Sequence, residues 1–186
     1  MRKSPKKRAN VYFDGFNFYH GCFRDSARPP IWQTCKWLDL RAFCERVFPN
    51  FDINRIRYFT ALVNPTPTDP HNRLRQQTYL RALETIPNLT VHRGRFATNR
   101  KKRWVADPRS NKPTPRLPLQ TVDVIEQEEK GSDVNLASYL LVDAFAQEYD
   151  VAIVVSNDSD LVTPITLVVP AAAALASSII ARPPLA

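Results

Sequence analysis

The sequence is poor in the residues that build several common kinds of site. Only four of its 186 residues are glycine and no GxGxxG pattern occurs, which argues against a dinucleotide-binding oxidoreductase. Three cysteines, Cys22, Cys35 and Cys44, form no CxxC pair, so neither a disulfide framework nor a zinc site is predicted. No apolar run approaches the roughly 20 residues that cross a bilayer, and no signal-peptide apolar stretch follows the basic start. These absences predict a cytoplasmic protein that makes no membrane contact.

Charge is unevenly distributed along the chain, whose net charge is +8. Residues 92–118 hold nine Lys/Arg against one acid, whereas residues 121–160 hold ten Asp/Glu against one Lys. An acidic segment inside a basic protein suggests an acidic pocket framed by basic surface, as a protein that binds a polyanion and cations requires. The alternative is that both charge runs are solvated faces, and charge alone does not decide between them.

Hydrophobic periodicity predicts strands that alternate with helices. Strands are expected at 11–14, 54–63, 89–96, 122–126 and 151–155, and helices at 38–48, 70–86 (with Asp69 as N-cap) and 133–148. The last helix presents one apolar stripe, made of Ala137, Leu140, Leu141, Ala144 and Phe145. Such alternation is typical of a three-layer α/β domain with a mostly parallel sheet.

Three parts of the chain are expected around this pattern: a basic tail at 1–9, one domain at 10–169 and an Ala/Pro-rich tail at 170–186. Within the domain, 97–118 lacks a sustained period and is expected to be a surface excursion, in which a small hairpin around Trp104 is one interpretation. A helix is expected to follow the acidic loop over 161–169, interrupted at Pro164 and Pro170.

Carboxylates follow the predicted strands at the end where ligands bind in open α/β sheets. Asp14 ends the first strand, Asp158 and Asp160 follow the apolar strand VAIVV, and Asp133 begins the long helix. Each alone has a plain structural explanation, as a helix cap or an Asx turn. Together on one edge they would repel one another. Because hard divalent cations prefer oxygen ligands, the sequence predicts a Mg²⁺ or Mn²⁺ site.

The blocks that carry these acids are VYFDGFNFYHG, DPHNRLRQQTYLRALE, EEKGSDVNLASYLLVDAF and YDVAIVVSNDSDLVTPI. In this order they resemble the NYN domains of the PIN-like nuclease superfamily, in the bacterial LabA-like, DUF88 branch. The resemblance spans about residues 10–166 and implies a Rossmann-like α/β/α sandwich that cleaves RNA with Mg²⁺ or Mn²⁺. The resemblance implies four metal-binding and catalytic acids, with Asn17 as a polar companion: Asp14, Asp133, Asp158 and Asp160.

A basic segment supplies the predicted contact with nucleic acid. Its cations would attract phosphates and its indole would stack on an unpaired base. The segment consists of Arg100, Lys101, Lys102, Arg103 and Trp104, and Lys130 of the KGSDV block is added to it. The alternative is a solvated basic loop with Trp104 packed on the sheet.

Two other functions remain open. One is an RNA-binding or regulatory module of the same fold without significant catalysis. The other is a phosphatase with Asp14 as nucleophile, which is disfavoured because the haloacid-dehalogenase type needs a second Asp two residues later and position 16 is Phe. The choice between RNA and DNA is also open, and a homo-oligomer is compatible with the sequence.

Overall fold

The computed structural model describes residues 5–24, 35–105, 121–168 and 177–178. The strands are β1 (Lys7–Asp14), β2 (Phe51–Ala61), β3 (Leu89–Trp104), β4 (Thr121–Lys130), β5 (Val151–Val155) and β6 (Ser177–Ser178). The α-helices are α1 (Gly15–Tyr19), α2 (Leu40–Val47), α3 (Asn72–Leu83), α4 (Ser132–Phe145) and α5 (Val162–Val168). A π-helical turn (His20–Arg24) follows α1, and 3-10 turns (Cys35–Trp37 and Ser159–Leu161) precede α2 and α5.

The six strands form one mostly parallel sheet in the order β4-β3-β2-β1-β5-β6. Every neighbouring pair is parallel except β3 and β4, which are antiparallel. The α/β class with a mostly parallel, helix-flanked sheet is thereby confirmed. Because β1 and β5 are central and parallel, their carboxyl ends, which carry Asp14 and the loop after Val155, meet at one edge.

Side chains of β1 alternate between two hydrophobic clusters. Val11 and Phe13 belong to a cluster that includes residues of α2 and α3. Tyr12, between them, belongs to a second cluster that includes residues of α4 and α5. The strand β5, VAIVV, contributes to both clusters, which explains its uninterrupted apolar sequence.

A polar network is buried beside the second cluster. The Arg57 guanidinium donates to both oxygens of Asp143, at 2.7 Å each, and the Tyr12 hydroxyl donates to Asp143 at 2.8 Å. The Arg57 and Asp143 side chains are only 9% and 4% exposed. Arg57 also lies 4.4 Å from the centre of the Tyr139 ring. These contacts fasten α4 to β2, since Asp143 belongs to the helix and Arg57 to the strand.

The residues that α4 buries differ from the predicted stripe at its end. Leu136, Leu140, Asp143 and Ala144 are buried, but Phe145 is 79% exposed. One residue advances a helix by about 100°, so Phe145 points well away from the inner side that Ala144 shares with Leu140. The expectation that Phe145 packs inside was wrong.

The start of α3 also differs from the prediction. The helix begins at Asn72, its N-cap is His71, and the side chain of Asp69 does not cap it. Instead, the Asp69 backbone N–H donates to the carbonyl and hydroxyl of Thr66, at 3.1 Å each, and its carboxylate pairs with Arg75. Asp69 thus closes a tight turn before the helix, which explains why the Asp-Pro signal predicted the cap too early.

The segment after Phe96 is regular rather than irregular. β3 continues to Trp104 and pairs with β4 along ten residues, from Arg95 opposite Lys130 to Trp104 opposite Thr121. The prediction of an aperiodic excursion was therefore wrong for 97–104, whereas the antiparallel pairing at Trp104 agrees with the suggested hairpin. Residues 106–118 of the predicted excursion lie outside the described residues. These strands lack hydrophobic alternation because charged and polar residues cover both of their faces.

The ends of the chain show two further differences. β1 begins at Lys7, so residues 7–9 of the predicted basic tail belong to the sheet. Pro164 does not interrupt α5 but lies in its first turn, where the backbone N–H has no acceptor within the helix. Pro170 and the predicted 170–186 tail lie outside the described residues, apart from the two residues of β6. The described residues contain no helix long and apolar enough to cross a membrane.

Candidate active site

Asp14 lies buried at the carboxyl end of β1, with both oxygens engaged. One oxygen accepts a 3.0 Å hydrogen bond from the backbone N–H of Asn17, in the first turn of α1. The other accepts a 2.8 Å hydrogen bond from the Ser156 hydroxyl, on the loop after β5. The carboxylate is 5% exposed and is thus held between two elements in a fixed orientation.

Gly15 permits this arrangement because the chain turns directly against β2. A Cβ at this position would lie 2.7 Å from the Phe59 carbonyl oxygen and 2.7 Å from the Tyr58 ring. The Asp-Gly pair of the DGFN motif therefore has a packing reason: only glycine lets the chain leave β1 this close to its neighbour.

Ser156 and Asn17 join the two loops that carry the acids. The Ser156 hydroxyl donates to Asp14 and accepts from the Asp158 backbone N–H at 3.0 Å. The Asn17 side-chain oxygen accepts from the Asn157 backbone N–H at 3.1 Å. Sequence reasoning singled out Asn17 but missed Ser156. The role of Ser156 could have been predicted from its position between the last residue of β5 and the first acid of the loop.

Asp158 also has a local structural task. Its side chain caps the 3-10 turn Ser159–Leu161 by accepting from the Asp160 backbone N–H at 2.9 Å. The Asx-turn explanation of this motif is thus correct for one oxygen of Asp158. The side chains of Asp158 and Asp160 make no ion pair with any described residue.

Asp133 lies in the first turn of α4. The preceding Gly131 has φ +99°, a conformation that favours glycine, and ends β4 with a sharp turn into the helix. Glu129 fixes that turn by accepting from the Ser132 backbone N–H at 3.1 Å and from its hydroxyl at 2.6 Å. Glu129 therefore binds the free backbone N–H at the start of α4, and the Asp133 carboxylate is not used to cap the helix.

The electrostatics of Asp133 indicate that the acids are close together. Burial, followed by the charges of Asp14, Asp158, Glu129 and Asp160, raises the pKa of Asp133 to about 6. Within the described part of the chain, none of these five acids forms a salt bridge with Lys, Arg or His. The edge thus concentrates negative charge that the described side chains leave uncompensated.

The chemistry of this donor set fits a hard divalent cation. Carboxylate oxygens are the ligands that Mg²⁺ and Mn²⁺ prefer, and a cation relieves the repulsion that acts on Asp133. However, no three described His, Cys, Asp or Glu side chains are drawn together tightly enough to form a ready metal-binding group. The donors are therefore of the right type and in the right region, while their side chains are not gathered around one point.

The predicted nucleic-acid residues lie on the hairpin formed by β3 and β4, and most of them are ion-paired. Lys101 pairs with Glu126 and Glu128, and Arg103 pairs with Glu126 at 2.6 Å. Further pairs join Arg100 to Asp123 at 2.8 Å and Lys130 to Glu128 at 2.8 Å. The basic and acidic runs of the sequence therefore meet across the hairpin. Trp104 is 54% exposed rather than packed on the sheet.

Comparison with known proteins gives one distant curated relative and one structural neighbour. No known family model matches the chain. The chain is 29% identical over 177 residues to 6-hydroxy-3-succinoylpyridine 3-monooxygenase HspA of Pseudomonas putida, covering 85% of this chain and 54% of that enzyme. It thus spans about half the length of this relative.

The structural neighbour is a protein of unknown function from Vibrio parahaemolyticus. Its crystal structure matches with a TM-score of 0.50 and 14% sequence identity, covering 95% of this chain and 82% of that one. At this identity the likeness concerns the fold alone.

Proposed function

We propose that this protein is a divalent-metal-dependent ribonuclease that hydrolyses RNA phosphodiester bonds at the carboxyl edge of its sheet. The observation that supports the proposal best is the crowding around Asp133, whose pKa is raised to about 6 by burial and by four neighbouring acids. Neighbouring like charges disfavour the ionised form of an acid, and a bound cation removes that penalty. The resemblance to NYN domains gives the same four acids.

In this proposal each residue has a defined task. Asp14, Asp133 and Asp158 would hold Mg²⁺ or Mn²⁺, which would supply electrophilic stabilisation of the charge that develops on the phosphate oxygens. Asp160 is a further ligand or orients water. Ser156 and Asn17 keep the Asp14 carboxylate and the Asp158 loop in register through the hydrogen bonds described above.

The proposed fold is the three-layer α/β/α sandwich of PIN-like nucleases. In support, alternate residues of β1 pack into two different clusters, one with α2 and α3 and the other with α4 and α5. The proposed domain comprises residues 10–169 together with the strand residues 7–9 that pair in the sheet.

A cleavage assay on labelled single-stranded and hairpin RNA tests the activity. Wild-type protein should cleave with Mn²⁺ or Mg²⁺ and stop cleaving when EDTA is added. Asp14→Asn should reduce cleavage by about 10³-fold or more, because it removes a ligand while keeping the side-chain shape. Asp52→Asn, an equivalent change of an exposed acid at the amino end of β2, is the matched control and should stay within about twofold of wild type. Full activity in Asp14→Asn would refute the assignment.

Two other functions are separated by parallel assays. A regulatory RNA-binding module would bind the same RNA without cleaving it at any tested metal concentration. The similarity to HspA supports an oxidative function on a pyridine substrate as the second candidate. Consumption of 6-hydroxy-3-succinoylpyridine by this protein, in air and with a reduced nicotinamide or flavin as electron donor, would favour that candidate. The ribonuclease proposal expects no such consumption.

A further inference from the structure

The hairpin extends beyond the sheet as a two-stranded arm. β3 pairs with β2 only as far as Gly94 and pairs with β4 from Arg95 onward. Residues 95–104 and 121–130 therefore form an arm, defined here by those ranges, that starts at the carboxyl edge of the sheet. At about 3.3 Å per residue, the eight steps from Phe96 to Trp104 span about 26 Å.

The pleat divides the side chains of the arm between two faces. Directly opposite residues of an antiparallel pair share a face, and successive residues alternate. One face, the paired face, carries Ala97, Asn99, Lys101, Arg103, Val122, Val124, Glu126, Glu128 and Lys130, with Arg95 at its base. The other, the open face, carries Phe96, Thr98, Arg100, Lys102, Trp104, Thr121, Asp123, Ile125, Gln127 and Glu129.

The paired face is internally neutralised. Lys101 contacts both Glu126 and Glu128, Arg103 contacts both oxygens of Glu126, and Lys130 contacts Glu128. As a result, the pKa of Glu128 is lowered to about 2, first by its hydrogen bond to Lys101. Lys101, which contacts two carboxylates, and Arg103, which contacts both oxygens of one, have little capacity left for phosphate.

The open face keeps its cations and rings accessible. Lys102 is exposed and makes no ion pair with any described residue, and Arg100 pairs only with Asp123 through a side chain that is 71% exposed. Trp104 is more than half exposed, and Ile125 is 69% exposed. Cations interleaved with an exposed indole are what a groove for unpaired bases requires.

The base of the open face adjoins the acidic site. The Phe96 ring lies 5.7 Å from the ring of Phe16, which follows Asp14 by two residues. Glu129, opposite Phe96, binds Ser132 at the start of α4. The open face is thus continuous with the edge that carries Asp14 and Asp133.

We infer that the open face of the arm binds a single-stranded nucleic acid and leads it to the acidic edge, with Arg100 and Lys102 on phosphates and Trp104 stacked on a base. The inference rests on the proposed function and names its substrate class. A single strand is favoured because the Trp104 ring can stack only on bases that are not paired within a duplex.

Fluorescence anisotropy with a labelled twelve-nucleotide RNA tests this inference. Binding is measured in EDTA on the Asp14→Asn background, so that cleavage does not interfere, across a series of salt concentrations. The two matched variants each remove two positive charges from the arm: Arg100→Gln with Lys102→Gln, and Lys101→Gln with Arg103→Gln. Long-range attraction falls equally in both, so a difference between them reports direct contact.

The open-face double variant should bind about tenfold more weakly than the paired-face double variant. Its slope of log affinity against log salt should fall by about 1.4, that is about 0.7 for each lost phosphate contact. Trp104→Ala should weaken binding about fivefold or more through lost stacking, with Val122→Ala on the paired face as control. A duplex of the same sequence should bind more weakly than the single strand, and a DNA oligonucleotide shows whether the 2′-OH matters.

Two outcomes overturn the inference: equal losses in the two double variants, or a duplex that binds as tightly as the single strand. Circular dichroism of each variant verifies that the arm has folded. Wild-type protein that binds through the open face but never cleaves with Mn²⁺ would overturn the proposed function and leave this inference standing.

Discussion

Glu128 of the arm and Asp133 at the sheet edge come from one acidic stretch of sequence, yet they are in opposite electrostatic states. On the arm, Glu128 lies against Lys101 and Lys130, and its pKa falls to about 2. At the edge, Asp133 is partly buried among other acids, and its pKa rises to about 6. The first carboxylate is already satisfied, whereas the second gains from any cation that reaches it.

The difference shows that one acidic run of sequence can contain both ion-paired and unpaired carboxylates. Strand pairing brings the arm acids next to the basic residues of β3, and this cancels both charge runs locally. The turn at Gly131 then sends the chain into α4, away from those basic residues. The state of a carboxylate in this segment therefore depends on which side chains the strand pairing and the helix place beside it.

The largest expected effect concerns a third state, an acid that is both buried and paired. Asp143→Asn should cost about 3–5 kcal/mol of the free energy of unfolding, because it leaves the Arg57 guanidinium buried without its counter-ion. Urea denaturation measures this loss. The double change of Arg57→Met with Asp143→Leu should cost less than Asp143→Asn alone. If Asp143→Asn loses less than about 1 kcal/mol of unfolding free energy, this buried ion pair is worth no more than an exposed one.

The next effect is stabilisation by Mn²⁺. At ten times its dissociation constant, a bound ion should add about 1.4 kcal/mol, which raises the melting temperature by roughly 3–6 °C for a domain of this size. Asp14→Asn should abolish the shift and Glu126→Gln should retain it. If Glu126→Gln also abolishes the shift in melting temperature, the ion binds to the arm. The contrast between the paired acids of the arm and the unpaired acids of the edge would then be refuted.

A smaller effect is the stabilisation expected from Asp133→Asn in metal-free buffer. An acid whose pKa is raised in the folded state weakens folding once the pH exceeds its ordinary pKa, and the penalty is complete above about pH 6. The variant should therefore be more stable than wild type by about 1 kcal/mol at pH 7.5, after allowance for solvent screening. The two proteins should have equal stability near pH 3. Melting curves at both pH values measure this, and a destabilised variant at pH 7.5 contradicts the crowding.

The smallest effect has the opposite sign and belongs to the arm. Glu128→Gln should slightly destabilise the fold at pH 7, because a lowered pKa contributes stability above the ordinary pKa that is lost as the pH falls toward 2. The loss should vanish in 1 M NaCl, which screens exposed ion pairs. Melting temperatures at low and high salt measure it, and a loss that persists at 1 M NaCl would indicate that Glu128 acts through packing.

The sequence was sufficient for the parts of the fold that depend on hydrophobic pattern. The strand Val151–Val155 is confirmed at its predicted bounds because it is buried on both faces. The rule that parallel strands bring their carboxyl ends to one edge applies to Asp14 and to the loop after β5. It does not account for Asp133, because β4 is antiparallel to β3 and returns along it before α4 begins.

Other features could not be predicted because they depend on partners distant in sequence. The regular arm was missed because a ladder of ion pairs leaves no hydrophobic period to detect. The role of Ser156 depends on an acid 142 residues away. Asp69 formed a turn with Thr66 rather than a helix cap, and both are ordinary uses of this residue type.

Gly94 sets a constraint on how this protein can diverge. A Cβ there would collide with the Glu129 carboxylate and with the Lys130 carbonyl oxygen at 2.6 Å, and it would lie tightly against the Ser132 backbone nitrogen at 3.1 Å. The root of the arm and the start of α4 thus share one crowded joint. A substitution at Gly94 therefore displaces the root of the arm and the start of the helix that carries Asp133 together. Position 94 therefore has to remain glycine for the arm and α4 to keep this arrangement.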